Sequence, residues 1–130
     1  MKTQILTRIE EIKKIARGIS RIKNVDAVYL FGSHARGKAG PLSDIDICAI
    51  GNFIEKEENK IYGFSSENLD ISIFNKLPVM IQFRVLKEGR ELFVKDRENI
   101  NAIKIKTMKN YIDFKYSINK YCKEILGCTI

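Results

Sequence analysis

Three aspartates and a glycine–serine pair are the residues whose types and spacing could do chemistry. Asp44 and Asp46 lie in the tract S-D-I-D-I, Asp70 lies in L-D-I-S-I, and Gly32-Ser33 follows an apolar run directly. On a strand, side chains at i and i+2 share a face, so Asp44 and Asp46 point one way while Ile45 and Ile47 point to a core. Two carboxylates held that close repel one another, and a divalent cation between them makes the pairing tolerable. Hard oxygen donors suit Mg2+ or Mn2+. Asp70, between Leu69 and Ile71, faces away from both of those neighbours. If its strand lies beside the Asp44–Asp46 strand, Asp44, Asp46 and Asp70 could hold two metal ions about 4 Å apart, as in-line phosphoryl chemistry requires.

The loop after the first apolar run adds the complementary feature. Gly32 lets backbone come close to a ligand. Ser33 offers a hydroxyl at a possible helical start, where free N–H groups bind phosphate. Arg36 and Lys38 bring positive charge suited to a triphosphate. Gly32, Ser33 and Arg36 are therefore the expected nucleotide contacts, whereas His34 and Lys38 read as loop surface. Gly32 to Lys38 also spells G-x-x-x-x-G-K, but Ala39 stands where that motif needs Ser or Thr for magnesium. Gly40-Pro41 then interrupts the helix that would have to follow.

Certain elements must position these groups. Ile5, Ile9, Ile12, Ile15, Ala16 and Ile19 have helical spacing and predict an amphipathic helix over Thr3 to Ser20. Val25 to Phe31, Asp44 to Ile50 and Leu69 to Phe74 read as strands. Gly51 to Glu67, charged and carrying Gly63 and two serines, gives no clear element. Pro78 opens a short helix that Gly89 ends. Glu91 to Lys95 suits a short fourth strand. From Asp96 the apolar positions Ile100, Ile103, Met108, Ile112, Tyr116, Ile118 and Ile125 predict one long or broken helix. Tyr111, Tyr116 and Tyr121 on it read as packing or partner contacts. The order α, β, β, β, α, β, α predicts an α/β (α+β) fold, a small mixed sheet flanked by helices, in one domain. Its core spans about 20–95 and its C-terminal helix about 97–126.

The pattern G-S-x-A-R-G, then S-D-I-D-I, then an Asp on a later strand, resembles the polymerase-beta-like nucleotidyltransferase superfamily, and within it the minimal nucleotidyltransferase domains of archaea and bacteria. The tract L-K-E-G-R-E-L-F (Leu86 to Phe93) is similar to the segment such domains carry after the third acid. The resemblance covers roughly Val25 to Val94. It implies that Gly32 and Ser33 hold a triphosphate, that Asp44 and Asp46 bind metal, and that Asp70 binds metal and activates an acceptor hydroxyl. It further implies transfer of a nucleoside monophosphate, AMP by expectation, from ATP. Minimal members are often encoded beside a HEPN-domain toxin, where some act as antitoxins by adenylylating a toxin tyrosine. The chain departs from the pattern in one place: only residues 47 to 69 separate the second and third acids, so the helix between those strands is expected to be reduced or missing. No acceptor-binding segment is legible, so the acceptor is expected from another molecule. A module that only docks a partner through its C-terminal helix is the competing reading.

Composition bounds these readings. A chain of 130 residues with 45% apolar residues can bury a core. No stretch approaches a membrane span, and Met1 to Glu10 lacks an apolar signal core, so a cytoplasmic protein is expected. The three cysteines, Cys48, Cys122 and Cys128, form no C-x-x-C, and His34 is the single histidine, which argues against zinc. The formal charge is +7, but its lysines and arginines are spread along the chain, so no dedicated nucleic-acid groove is expected. An apolar C-terminal helix on a small domain suits self-association or a heteromeric partner.

Overall fold

In the computed structural model, residues 2–32, 35, 37 and 44–127 are described, with the side chains of residues 2–7 left aside. Helix α1 (Lys2–Ser20) leads into β1 (Val25–Phe31), and β2 (Ile45–Gly51), α2 (Glu55–Tyr62) and β3 (Leu69–Ile73) follow. A 3-10 turn (Phe74–Lys76), α3 (Val79–Glu88), β4 (Arg90–Val94) and α4 (Arg97–Leu126) complete the order. The strands form one mixed sheet in the order β3-β2-β1-β4. The β1–β2 and β1–β4 pairs are antiparallel, while β2–β3 is parallel.

That parallel pair accounts for the stretch whose sequence gave no clear element. Parallel neighbours cannot be joined by a tight turn and need a crossover. Helix α2 supplies it in eight residues, so the expected helix is reduced but present. Its start is fixed by Glu57, which reaches back to accept the Ile54 N–H at 3.0 Å. The same carboxylate accepts both contacts of the Asn24 amide, at 3.0 and 3.1 Å. Asn24 has φ +72, a left-handed position that Asn tolerates at the turn into β1. One acid thus ties the α1–β1 turn to the crossover, and the Ile54 N–H, then Asn24, hold its pKa below the usual value.

Strand alternation divides the core between the two faces of the sheet. Val28, Leu30, Ile45, Ile47, Ala49, Leu69 and Ile71 pack against Ile12, Ala16 and Ile19 of α1 and Ile61 of α2. Ile9, at the same helical spacing, stays exposed. The opposite face presents Ala27, Tyr29, Cys48 and Ile50 to Val85 of α3 and Ile100 of α4. Phe83 of α3 stacks on Tyr111 of α4, centroids 3.9 Å apart, which makes that tyrosine a packing residue. Asp96 caps α4 by accepting the Glu98 N–H, and Gly127 ends it at φ +65. The 30 residues of α4 form a single unbroken helix. No helix among the described residues is long and apolar enough to cross a membrane.

Candidate active site

The C-terminus of β1 and the N-termini of β2, β3 and β4 meet at one end of the sheet. There Phe31 is the register partner of Asp46, and Asp46 is the register partner of Asp70. Neighbouring strands lie about 4.8 Å apart, so the two acids are side by side. Both belong to the face that carries Cys48 and Ile50. Asp44 precedes β2 by one residue and is exposed, Asp46 is half-buried, and Asp70 is exposed. Ile45 and Ile47, between and after the first two acids, are buried on the opposite face, which fixes the direction of the strand acids. The Ile45 N–H donates to the Asn68 carbonyl at 2.9 Å, tying the starts of β2 and β3 together.

Gly32 completes this end. Its φ is +76, a conformation that strains an L side chain, and a Cβ there would collide with Asp46 Oδ2. The backbone at Gly32 therefore packs directly on the Asp46 carboxylate. Ser33 and Arg36, expected from the sequence as phosphate contacts, lie outside the described residues, as do His34, Lys38 and Cys128.

The donor set is all carboxylate oxygen on adjacent strands, which fits a hard divalent cation such as Mg2+. Among the described residues, no group of three or more His, Cys, Asp or Glu side chains converges as a metal cage. What the fold supplies is the backbone placement: two acids in register, a third two residues upstream, and a glycine against them.

A cleft of about 160 Å3 opens beside Gly32, lined by Phe31, Ile81, Arg84, Val85 and Glu88. Exposed Arg84 brings a guanidinium to the acid end from α3. Sequence spacing did not mark it, because Arg84 sits between apolar positions of an ordinary amphipathic helix and only the packing of α3 on β1 brings it to Gly32.

One register layer behind the acids, a polar clamp fixes the strands. Glu91 of β4 accepts the Tyr29 hydroxyl at 2.9 Å, both Arg97 nitrogens at 2.7 and 2.6 Å, and Lys104 Nζ at 3.2 Å. Arg97 above all holds the Glu91 carboxyl down at about 2, with Tyr29 and Lys104 adding to the effect. Burial, and then Glu91, pushes the Tyr29 phenol up. Burial also pushes the Cys48 thiol up to about 12, which leaves it an unreactive core group. Cys48 and half-buried Cys122 are both free thiols.

Three comparisons bear on this arrangement. The family model for the polymerase beta nucleotidyltransferases matches residues 10–98. A Methanocaldococcus jannaschii protein, whose name assigns it provisionally as a protein adenylyltransferase, is 32% identical over 73 residues, 55% of this chain and 58% of that protein. The chain thus spans somewhat more than half the length of that curated relative. A toxin–antitoxin crystal structure with AMP-PNP superposes with TM-score 0.69 at 19% identity, over 90% of this chain and 97% of the other. The Shewanella oneidensis complex of a tri-AMPylated HEPN toxin with its MNT antitoxin gives TM-score 0.64 at 18% identity, over 95% and 98%. At these identities the two structures establish likeness of fold.

Proposed function

The chain belongs to the polymerase beta nucleotidyltransferase family, and on that premise we propose that it moves a nucleoside monophosphate, AMP, from a nucleoside triphosphate to an acceptor hydroxyl. The observation that carries this reading is the register pair Asp46 and Asp70 with Gly32 packed on the Asp46 carboxylate. Asp44, Asp46 and Asp70 would hold two Mg2+ ions, which when bound neutralise phosphate charge and polarise the α-phosphoryl group. Gly32, with Ser33 and Arg36 after it in the sequence, receives the triphosphate. Asp70 takes the proton of the acceptor hydroxyl. The acceptor oxygen then bonds to the α-phosphorus as the bond to the bridging oxygen breaks, and pyrophosphate leaves. Arg84, across the small cleft from Gly32, adds a fixed positive charge for the departing phosphates.

Transfer from α-labelled ATP with Mg2+, read as label on acceptor, tests this directly. Asp46→Asn and Asp70→Asn each lower the rate by at least ~100-fold with the fold intact, because each removes an anionic ligand for the cations and Asp70→Asn also removes the group that takes the acceptor's proton. Full activity in Asp44→Asn or Asp46→Asn would sink the mechanism.

A specific observation also supports a partner. The apolar stripe of α4 continues past the sheet as Phe114, Ile118, Tyr121 and Ile125, all exposed. We assign this face to a helical partner of the HEPN-toxin type, in the manner of the antitoxin complexes whose fold the chain shares. In the enzyme reading the partner is also the acceptor. In the competing reading, docking alone neutralises it. Neutralisation of a co-expressed toxin by Asp46→Asn separates the two: retained neutralisation supports docking alone, and lost neutralisation with binding intact supports transfer.

A further inference from the structure

The opposite end of the sheet carries a second recess that the proposed transfer does not use. It holds about 300 Å3 between the C-terminal end of β2, the turn after β3, α3 and α4. Strand rise puts Gly51 about 16 Å from Asp46, so the recess stands at the far end of β2 from the acids.

Its polar groups are unusual in kind: five primary amides line it, together with one hydroxyl and one charge of each sign. Two of the amides are held in place by the backbone. Asn75 Nδ2 donates to the Gly51 carbonyl at 3.0 Å and to Asn52 Oδ1 at 3.3 Å. Gln82 Nε2 donates to the Phe74 carbonyl at 2.8 Å. Asn75 therefore keeps its carbonyl oxygen for a ligand, Asn52 keeps its NH2, and Gln82 keeps its carbonyl oxygen and one N–H. The recess thus offers both acceptors and donors on anchored amides, the two kinds of group that the edge of a nucleobase presents together. Buried Thr107 adds a hydroxyl from the α4 side, and Asn110 follows it on the same helix face. Asp26 and Lys106 bring one charge of each sign, so the lining carries no net charge to draw a triphosphate.

We propose that this recess is a binding site for a neutral nucleobase, free or carried on a nucleoside. Pre-anchored amides lower the ordering cost of binding, since their rotamers are set before the ligand arrives. The site is independent of the acid end and holds whether or not that end catalyses transfer.

The test titrates adenosine, guanosine, cytidine and uridine into isotope-labelled protein without Mg2+ and follows amide resonances. At least one nucleoside shifts the signals of residues 50–52, 74–75 and 106–110, and the side-chain amides of Asn75 and Gln82. Asn110→Leu, an exposed change that spares the anchored amides, weakens that nucleoside at least ~10-fold, about the worth of one good hydrogen bond lost and its partner stranded. The Asp44→Asn/Asp46→Asn double variant binds it as the wild type does. Shifts confined to Gly32 and its neighbours would overturn the proposal. So would silence for all four nucleosides, equal binding by Asn110→Leu, or equal shifts from glucose or glycine, which would mark an unselective polar hollow.

Discussion

The two halves of α4 carry one apolar stripe, yet only the first half is covered. Ile100, Ile103, Thr107 and Tyr111 recur at steps of three and four, and Phe114, Ile118, Tyr121 and Ile125 continue in the same phase. Ile100 is fully buried, whereas Ile118 is 37% exposed and Ile125 59%. The helix keeps its pattern while the domain beneath it ends. Periodicity alone therefore states which face of a helix wants cover, not whether this chain provides it. The first half is a core element and the second an element whose cover must come from outside the described residues.

Substitution of the same residue type in each half sharpens the contrast and gives the largest expected effect. Ile100→Ala leaves a cavity in packed surroundings and costs about 2–5 kcal/mol in urea unfolding. Ile118→Ala with Ile125→Ala stays within about 0.5 kcal/mol per site, because both positions are exposed and no packed core closes over them. Partner binding should reverse the ranking, with the distal pair losing it and folded Ile100→Ala retaining it. Equal destabilisation of the two halves would show that the distal stripe is covered by this chain itself.

Acid gives the next largest effect, and it too falls on the first half. Arg97 and Lys104 fasten that half to Glu91, and no such clamp is seen among the described residues beyond Tyr111. The folded Glu91 carboxyl titrates at about 2, below its ordinary 4.5. Its contribution is therefore complete above about pH 4.5 and is lost as pH falls toward 2. Thermal unfolding followed from pH 6 to 2.5 should show an acid limb that Glu91→Gln flattens. Because the pair is substantially exposed, added salt should shrink the difference. An unchanged limb in Glu91→Gln would assign the acid loss to other carboxylates, with Glu57 the next to examine.

Much of this was legible beforehand, for physical reasons that differ by region. Asp44, Asp46 and Asp70 could be placed because strand alternation is a strict two-residue period, and isoleucines on the other face leave one direction for the acids. Their register partnership was not legible, since pairing depends on the β2–β3 crossover. Helix α2 hid because E-K-E-E-N-K-I-Y has one deeply buried apolar residue, Ile61, and draws its stability from Glu57 and Asn24, a contact across residues 24 to 57. Arg84 and the amide recess were invisible for the same reason: each is assembled from elements distant in sequence. The loop contacts Ser33 and Arg36 remain proposals resting on the motif alone.

The smallest effect reads cover without disturbing the fold. Cys48 lies in the buried face under α3 and α4, and Cys122 sits beside the distal stripe, half-buried. In a Cys128→Ser background, a thiol reagent such as dithiobis(nitrobenzoate) should modify one cysteine promptly, Cys122. Cys48 should react only on unfolding, since its thiol is both enclosed and held up to about 12. When a partner occupies the Phe114–Ile125 face, the rate at Cys122 should fall several-fold while Cys48 stays silent, because a reagent must reach the sulfur through the occupied surface. A partner that is not neutralised and slows nothing at Cys122 has not docked there. One that slows Cys122 yet leaves Ile118→Ala/Ile125→Ala binding intact uses the flank of the helix rather than its stripe. Either result would break the equation of the continued stripe with the docking face.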